Sequence, residues 1–154
     1  MLARRAQCEL AASKLGVAAL RDVSLETLLA HRDGLGDDVF RRARHVVSEN
    51  GRVLEGAQAL RAGDLVRLGQ LVSQSHASLR DDYEVSSSQL DTLVDLALAT
   101  PGVLGARLTG AGFGGCAIAL VVPDAAGAAA ETIIAQYRAA TGLPGSAFVP
   151  TASQ

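Results

Sequence analysis

Four glycines lie within six positions of one short segment near the C-terminal end of the chain. The stretch from Arg107 to Cys116 reads RLTGAGFGGC, and an apolar run up to Val122 follows it directly. A tight turn between strands explains one or two glycines, whereas four indicate a backbone that approaches another surface closely. Such a loop can point several backbone N–H groups at one anion. The candidate site residues are therefore Thr109, Gly110, Ala111, Gly112, Phe113, Gly114 and Gly115.

Two nucleotide-binding motifs have similar glycines, and neither fits this context. Gly110, Gly112 and Gly115 match the dinucleotide pattern G-x-G-x-x-G, but that motif requires a helix to open at its third glycine. A β-branched and aliphatic run follows here instead, which favours a strand. The glycine loop of protein kinases does join two strands, yet it requires a lysine on the second strand, and Lys14 is the chain's only lysine.

A second group of polar side chains lies between Ser75 and Ser86, in the sequence SHASLRDDYEVS. Its candidate site residues are His76, Ser78, Arg80, Asp81 and Asp82. A histidine beside two serines is compatible with nucleophile activation, but no elbow glycine precedes the serines and no third member is present. We therefore expect a surface or capping histidine here. The alternative for the whole segment is a polar loop between helices, held by local hydrogen bonds.

The other two histidines carry less information. His45 lies in an arginine-rich helical segment and His31 lies at a predicted helix end. We expect both to be solvated or close to the negative end of a helix dipole.

Hydrophobic periodicity predicts an α+β fold, with several helices packed against a small antiparallel sheet. The chain is expected to form a single domain over residues 1–154, mainly helical over 1–100, with a strand, glycine loop, strand, helix, strand order over 101–151. Predicted helices cover 2–15, 24–31, 37–62, 64–79, 86–99 and 124–142, and predicted strands cover 103–109, 116–122 and 147–151. Ser24, Asp64, Ser86 and Asp124 are the expected N-caps.

Composition excludes several classes of function. The chain is 49% hydrophobic and 19% charged, which is typical of a globular domain with a real core. A net charge of -2, no basic tract and no tryptophan argue against nucleic-acid and acidic-membrane partners. Cys8 and Cys116 have no metal-ligand spacing with the histidines, so we expect no metal site and a reduced, cytoplasmic protein. No apolar run is long enough to predict a membrane span.

The glycine loop resembles the third conserved motif of the GHMP small-molecule kinases, the superfamily of galactokinase, homoserine kinase and mevalonate kinase. The likeness to galactokinases is close, since it extends to the segments at 75–86, 41–50 and 4–9, in the family's order. Galactokinases are more than twice as long as this chain. The chain therefore resembles their C-terminal part, and the fold implied is the GHMP kinase C-terminal domain.

The resemblance implies that the complete enzyme transfers the γ-phosphoryl of Mg-ATP to the C1 hydroxyl of galactose. In that family the sugar-reading motif, phosphate loop, magnesium ligands and catalytic aspartate lie in the N-terminal half. No catalytic or metal-binding residue is thus expected in this chain, nor a tightly bound cofactor, and the isolated chain is expected to be inactive. A sugar-contacting tyrosine of the family falls at Met1, so that contact is expected to be lost and the chain to start just past the active-site half.

The expected partners are an N-terminal galactokinase half, in cis or in trans, and galactose. A homodimer through the exposed loop face is a further expectation, because that face would otherwise be an orphaned interface. The alternative function is a non-catalytic kinase-like module that binds or regulates a partner through the same face.

Overall fold

The computed structural model describes residues 2–110, 112–113 and 115–150. Within these residues the helices are α1 (Leu2–Lys14), α2 (Leu25–Ala30), α3 (Arg32–Leu35), α4 (Asp37–Ala62), α5 (Leu65–Asp81), α6 (Ser88–Leu98) and α7 (Ala126–Thr141). The strands are β1 (Val103–Thr109) and β2 (Cys116–Val121), and short 3-10 turns cover Leu20–Asp22 and Pro123–Ala125. The predicted α+β class, helices with a small antiparallel sheet, is confirmed.

The helix caps agree with the sequence at two positions out of four. Ser24 and Asp64 accept hydrogen bonds from the backbone N–H groups of the first turns that follow them, as predicted. The cap of α6 is Ser87 rather than Ser86, whose hydroxyl instead donates to Asp91 over 2.5 Å. Asp124 is not a cap either, because a 3-10 turn opens at the preceding proline and α7 follows it without a side-chain cap.

The described part of the sheet has two strands, joined by the glycine loop. β1 and β2 are antiparallel, with Thr109 opposite Cys116 and Leu108 opposite Ala117. The predicted third strand at 147–151 is wrong over its described residues 147–150, which lie in a C-terminal tail without helix or strand. The side chain of Phe148 is exposed there. A strand requires a neighbouring backbone to pair with, and the described residues of this tail belong to no strand pair.

Buried apolar side chains form one group among the N-terminal helices and two groups around the sheet. The first includes Ala11, Leu28, Leu35, Phe40 and Ala43. The second joins α6 and α7 to the sheet through Val94, Ala97, Ala106, Ala129 and Ile133, and the third contains Leu79, Val85, Leu90 and Leu108. β1 thus contributes to both groups around the sheet. None of the described helices combines the length and apolarity that a bilayer crossing requires.

Candidate functional site

The described glycines of the loop adopt backbone angles that favour glycine. Their φ values are +82° at Gly110, +77° at Gly112 and +123° at Gly115. Phe113 also lies in the left-handed region, at +59°. These angles agree with the inference from the sequence that the loop requires residues without Cβ. The candidate residues Ala111, Gly114 and Met1 lie outside the described residues.

One side of the loop packs against the connection between α5 and α6. The Phe113 N–H donates to the carbonyl of Val85 over 2.7 Å, and a Cβ added at Gly112 would collide with that same carbonyl. Gly112 is buried by this contact. The close approach inferred from the glycines is therefore, at Gly112, an approach to this chain's own backbone.

The other side of the loop faces solvent. Gly110 and Gly115 are exposed, and apart from their chain neighbours no described residue has a heavy atom within 4 Å of where their Cβ atoms would be. The Phe113 side chain is 60% exposed. Thr109 is half-buried and ends β1 opposite Cys116. The loop therefore has an anchored inner side and an open, glycine-lined outer side.

His76 anchors the strand that leads into the loop. The backbone N–H of Leu108 donates to Nδ1 of His76 over 3.2 Å, so Nδ1 is unprotonated and the neutral ring carries its hydrogen on Nε2. That Nε2 lies 3.4 Å from Asp91 Oδ1 without hydrogen-bond geometry. Burial lowers the pKa of His76, against the opposing effect of Asp91. The expected surface or capping histidine is thus wrong, because α5, β1 and α6 enclose this side chain.

The five candidate residues of the second segment point in three directions. His76 faces β1, whereas Ser78 and Asp82 face α4. Arg80 and Asp81 form an ion pair at 2.7 Å on the exposed side of the helix. Residues 75–81 are the last turns of α5, so the alternative of a polar loop is wrong for that part. Ser78, Asp81 and Asp82 line one open groove, whereas His76 and Arg80 are not among its lining residues.

His45 belongs to the buried face of α4 rather than to solvent. Its Nδ1 lies 2.9 Å from the Ser78 hydroxyl, and its ring stacks on Tyr83 with centroids 4.6 Å apart. Burial lowers the pKa of His45 to about 4. The expected solvated histidine is therefore wrong, because residues from α5 and the segment after it cover the ring.

A polar network missed in the sequence holds β1 against the two long helices. Arg107 Nη1 donates to Glu49 over 3.1 Å and to the Ser75 hydroxyl over 2.8 Å, and Ser75 donates to Glu49 over 2.6 Å. Burial opposes ionisation of Glu49, but hydrogen bonds from Ser75 and Arg52 outweigh it and lower its pKa. No local pattern could reveal this network, because its members lie on three separate elements.

A second missed cluster surrounds the connection between α5 and α6. Glu84 lies two positions before Ser86, near the start of α6. Its carboxylate forms ion pairs with Arg4, Arg41 and Arg42. Glu84 has a φ of +52°, which is unusual for a residue other than glycine. The arginines near the starts of α1 and α4 are evident in the sequence, but the fact that they share Glu84 as a partner is not.

Two further observations concern ligands. Among residues 2–110, 112–113 and 115–150, no three histidine, cysteine or carboxylate side chains are grouped to hold a metal ion. An open groove of about 390 Å³ lies between α2, α4 and α5, with Leu25, Leu29, Arg44 and Asp81 among its lining residues. None of the described residues of the glycine loop lines this groove, but Ser78, Asp81 and Asp82 of the second candidate segment do.

Comparisons with known proteins agree with this geometry. The family model described as "GHMP kinases C terminal" matches residues 57–139, which is just over half of the chain and includes the glycine loop. The crystal structure of Lactococcus lactis galactokinase complexed with galactose is similar to this chain, with a TM-score of 0.87 and 43% sequence identity. The match covers 92% of this chain and 38% of that one. The resemblance to a galactokinase C-terminal part is thereby confirmed, and the chain belongs to the family of GHMP kinase C-terminal domains.

Proposed function

We propose that this chain is the C-terminal part of a galactokinase, an enzyme that transfers the γ-phosphoryl of ATP to the C1 hydroxyl of galactose. In this proposal the outer side of the glycine loop lies beside the phosphates, and its backbone N–H groups help to bind them. The observation that carries the proposal is the open space above Gly110 and Gly115 on a loop whose inner side is anchored. The 43% identity to the Lactococcus lactis galactokinase supports the choice of reaction.

The chemistry of phosphoryl transfer suits such a loop. The reaction depends on positioning the reacting groups and stabilising charge on the phosphoryl oxygens. Backbone amides provide partial positive charge, and the absence of Cβ atoms lets an anion come close to them. Arg107 is engaged by Glu49 and Ser75. We therefore assign the phosphate contact to the loop backbone rather than to that arginine.

The remaining machinery is placed in an N-terminal half, in cis or in trans. ATP and magnesium belong to the complete enzyme, where magnesium neutralises charge on the phosphates when bound. The described residues offer no group of three metal-ligating side chains, so this chain's own contribution is the loop backbone. Each part of the catalytic machinery that we place in the N-terminal half lowers the activation barrier of phosphoryl transfer by several kcal/mol. The isolated 154-residue polypeptide is therefore expected to have no kinase activity.

We propose that the N-terminal half docks on the face formed by the loop and β2. Phe113 is 60% and Ile118 52% exposed, and Cys116 at the start of β2 is exposed as well. Exposed apolar side chains of this kind are typical of an interface between domains. Without an N-terminal half, the same face is expected to pair two copies of the chain. A cytoplasmic location is part of this proposal, since the cytoplasm supplies ATP as the phosphoryl donor.

The proposal can be tested with a chimera in which this chain replaces the matching part of the Lactococcus lactis galactokinase. A coupled ADP-release assay with galactose measures turnover by the chimera, by the isolated chain and by the isolated N-terminal part. Galactose-dependent turnover is expected from the chimera alone. Glucose in place of galactose is the matched control for the sugar.

Three outcomes would contradict the proposal. Turnover by the isolated chain would show that it contains machinery that we place elsewhere. A folded chimera that binds ATP and galactose without turnover would favour the non-catalytic binding or regulatory module. ADP release by the chimera at the same rate without galactose would contradict phosphoryl transfer to the sugar.

A further inference from the structure

Glu84 holds an unfavourable backbone conformation just before the loop's contact point. Its φ of +52° lies in the left-handed region, which is unfavourable for a residue with a side chain. Such a conformation persists only where surrounding contacts hold it. Three arginines, Arg4, Arg41 and Arg42, supply those contacts, and we call them the arginine clamp.

The arginine clamp binds the backbone as well as the carboxylate. Arg41 donates to the carbonyl of residue 81 over 3.1 Å, and Arg42 donates to that of residue 82 over 2.5 Å. Arg4 donates to the carbonyls of residues 83 and 84 over 2.6 and 3.1 Å. Four consecutive carbonyls are thus each held by a guanidinium group. This arrangement fixes the path of the chain as it leaves α5.

The clamp differs from an ordinary surface ion pair. The Arg42 side chain is only 2% exposed, and its Nη2 donates to Glu84 Oε2 over 2.6 Å. Exposed pairs contribute little to stability, but removing one partner of a buried charge leaves the other uncompensated. Hydrogen bonds from Arg41 and Arg42 lower the pKa of Glu84, which keeps its carboxylate charged. Glu84, whose side chain is 41% exposed, is therefore the charged partner of a buried arginine.

The residue that follows Glu84 is the one on which the glycine loop rests. Val85 is 5% exposed, and its carbonyl accepts from the Phe113 N–H over 2.7 Å. Gly112 packs against the same carbonyl. Because the carbonyl direction at Val85 depends on the backbone angles just before it, a change in conformation at Glu84 would move the carbonyl that the loop contacts.

We propose that Glu84 is a positioning residue for the glycine loop. The arginine clamp holds Glu84 so that the Val85 carbonyl stays where the loop contacts it, and this contact gives the loop its functional geometry. The statement about loop geometry stands on the contacts of this chain. Its consequence for phosphoryl transfer rests on the proposed function. The two parts are therefore tested by separate measurements.

The geometric part is tested by amide hydrogen exchange of the chain, followed by NMR, in wild type and Glu84→Gln. The substitution keeps the shape of the side chain and removes its charge. Exchange at the Phe113 amide is expected to become about tenfold faster, because a weakened charge-assisted contact no longer holds its acceptor in place. Exchange at Ile133 in the core is expected to stay unchanged. Glu55→Gln, which removes the carboxylate paired with Arg67, is the matched control and should change neither amide.

Unchanged Phe113 exchange in Glu84→Gln would overturn the proposal, as would acceleration that only parallels that of Ile133. If Glu84→Gln does not fold, Arg4→Gln replaces it, because it removes two carbonyl contacts and leaves Arg41 and Arg42 in place. The expected result is again faster exchange at Phe113 without a change at Ile133, and its absence would contradict the clamp.

The catalytic part is tested in the galactokinase chimera. Glu84→Gln is expected to lower kcat for galactose roughly tenfold with little change in KM for the sugar, since the loop is assigned to the phosphates. Unchanged kcat alongside faster Phe113 exchange would overturn the claim that loop geometry matters for transfer. An inactive parent chimera would count against the proposed function alone, because the exchange measurement still decides whether Glu84 positions the loop.

Discussion

Gly69 on α5 and Gly105 on β1 meet backbone to backbone. A Cβ added at Gly105 would collide with the carbonyl of Gly69, and one added at Gly69 would collide with the carbonyl of Leu104. The helix therefore lies directly on the strand, with no side chain between them. This contact brings the end of α5 beside β1, where His76 meets the Leu108 amide. The position of the glycine loop thus depends on two other glycines, Gly105 in the strand that leads into it and Gly69 far from it in sequence.

Alanine at Gly69 is expected to destabilise the protein by about 1–3 kcal/mol, because overpacking outweighs the better helix propensity of alanine. Gly51 offers the matched control, since it is exposed within α4 and, apart from the adjacent helix backbone, no described residue has a heavy atom within 4 Å of its added Cβ. Gly51→Ala is expected to stabilise by about 0.5–1 kcal/mol. Urea unfolding measures both variants. Equal effects of the two substitutions would contradict the direct contact of α5 with β1.

Two loop glycines are expected to respond differently to alanine. Gly112→Ala introduces both an unfavourable φ and a collision with the Val85 carbonyl, whereas Gly110→Ala introduces only the unfavourable φ. Gly110→Ala is expected to cost about 1 kcal/mol of stability, and Gly112→Ala clearly more. Amide exchange at Phe113 should accelerate more in Gly112→Ala. A larger effect at Gly110 would show that the loop does not rest on Val85.

His76 is expected to be the neutral tautomer with its hydrogen on Nε2, because Nδ1 accepts from the Leu108 amide. Imidazole ¹⁵N shifts measure this directly. His76→Asn can keep an acceptor near the Nδ1 position, whereas His76→Leu leaves a buried N–H unpaired at a cost of about 1–3 kcal/mol. His76→Leu should therefore be the less stable variant in urea unfolding. A protonated Nδ1 at neutral pH would contradict the assigned hydrogen bond.

The sequence was most informative where local chemistry decides structure. Glycine spacing predicted the loop, and apolar runs predicted the two strands around it. A side-chain oxygen one to three residues before an apolar stripe located the caps at Ser24 and Asp64. At Asp124 the same reasoning was wrong, because the preceding proline starts a 3-10 turn first.

Features decided by distant segments could not be predicted in the same way. His45 and His76 have polar neighbours in sequence, yet residues from other elements bury both. The arginines of the clamp and Glu84 are separated by roughly 40 or 80 positions, so no periodicity connects them. The tail at 147–150 has strand-like composition, but composition does not supply a pairing partner. The burial of these side chains and the pairing of residues distant in sequence are therefore evident only in the folded structure.

Stability is expected to fall below neutral pH because His45 is buried in its neutral form. Its pKa is about 4 in the folded chain, whereas an unfolded histidine titrates near pH 6.5. The unfolded state therefore binds more protons as pH falls through 6.5, and the penalty grows until the folded pKa is reached. His45 alone should lower the free energy of unfolding by about 2 kcal/mol at pH 5 and by about 3 kcal/mol at pH 4, relative to pH 8. Urea unfolding at these pH values measures the loss, and His45→Gln should reduce the difference by about these amounts. An identical pH dependence in that variant would contradict the burial of His45.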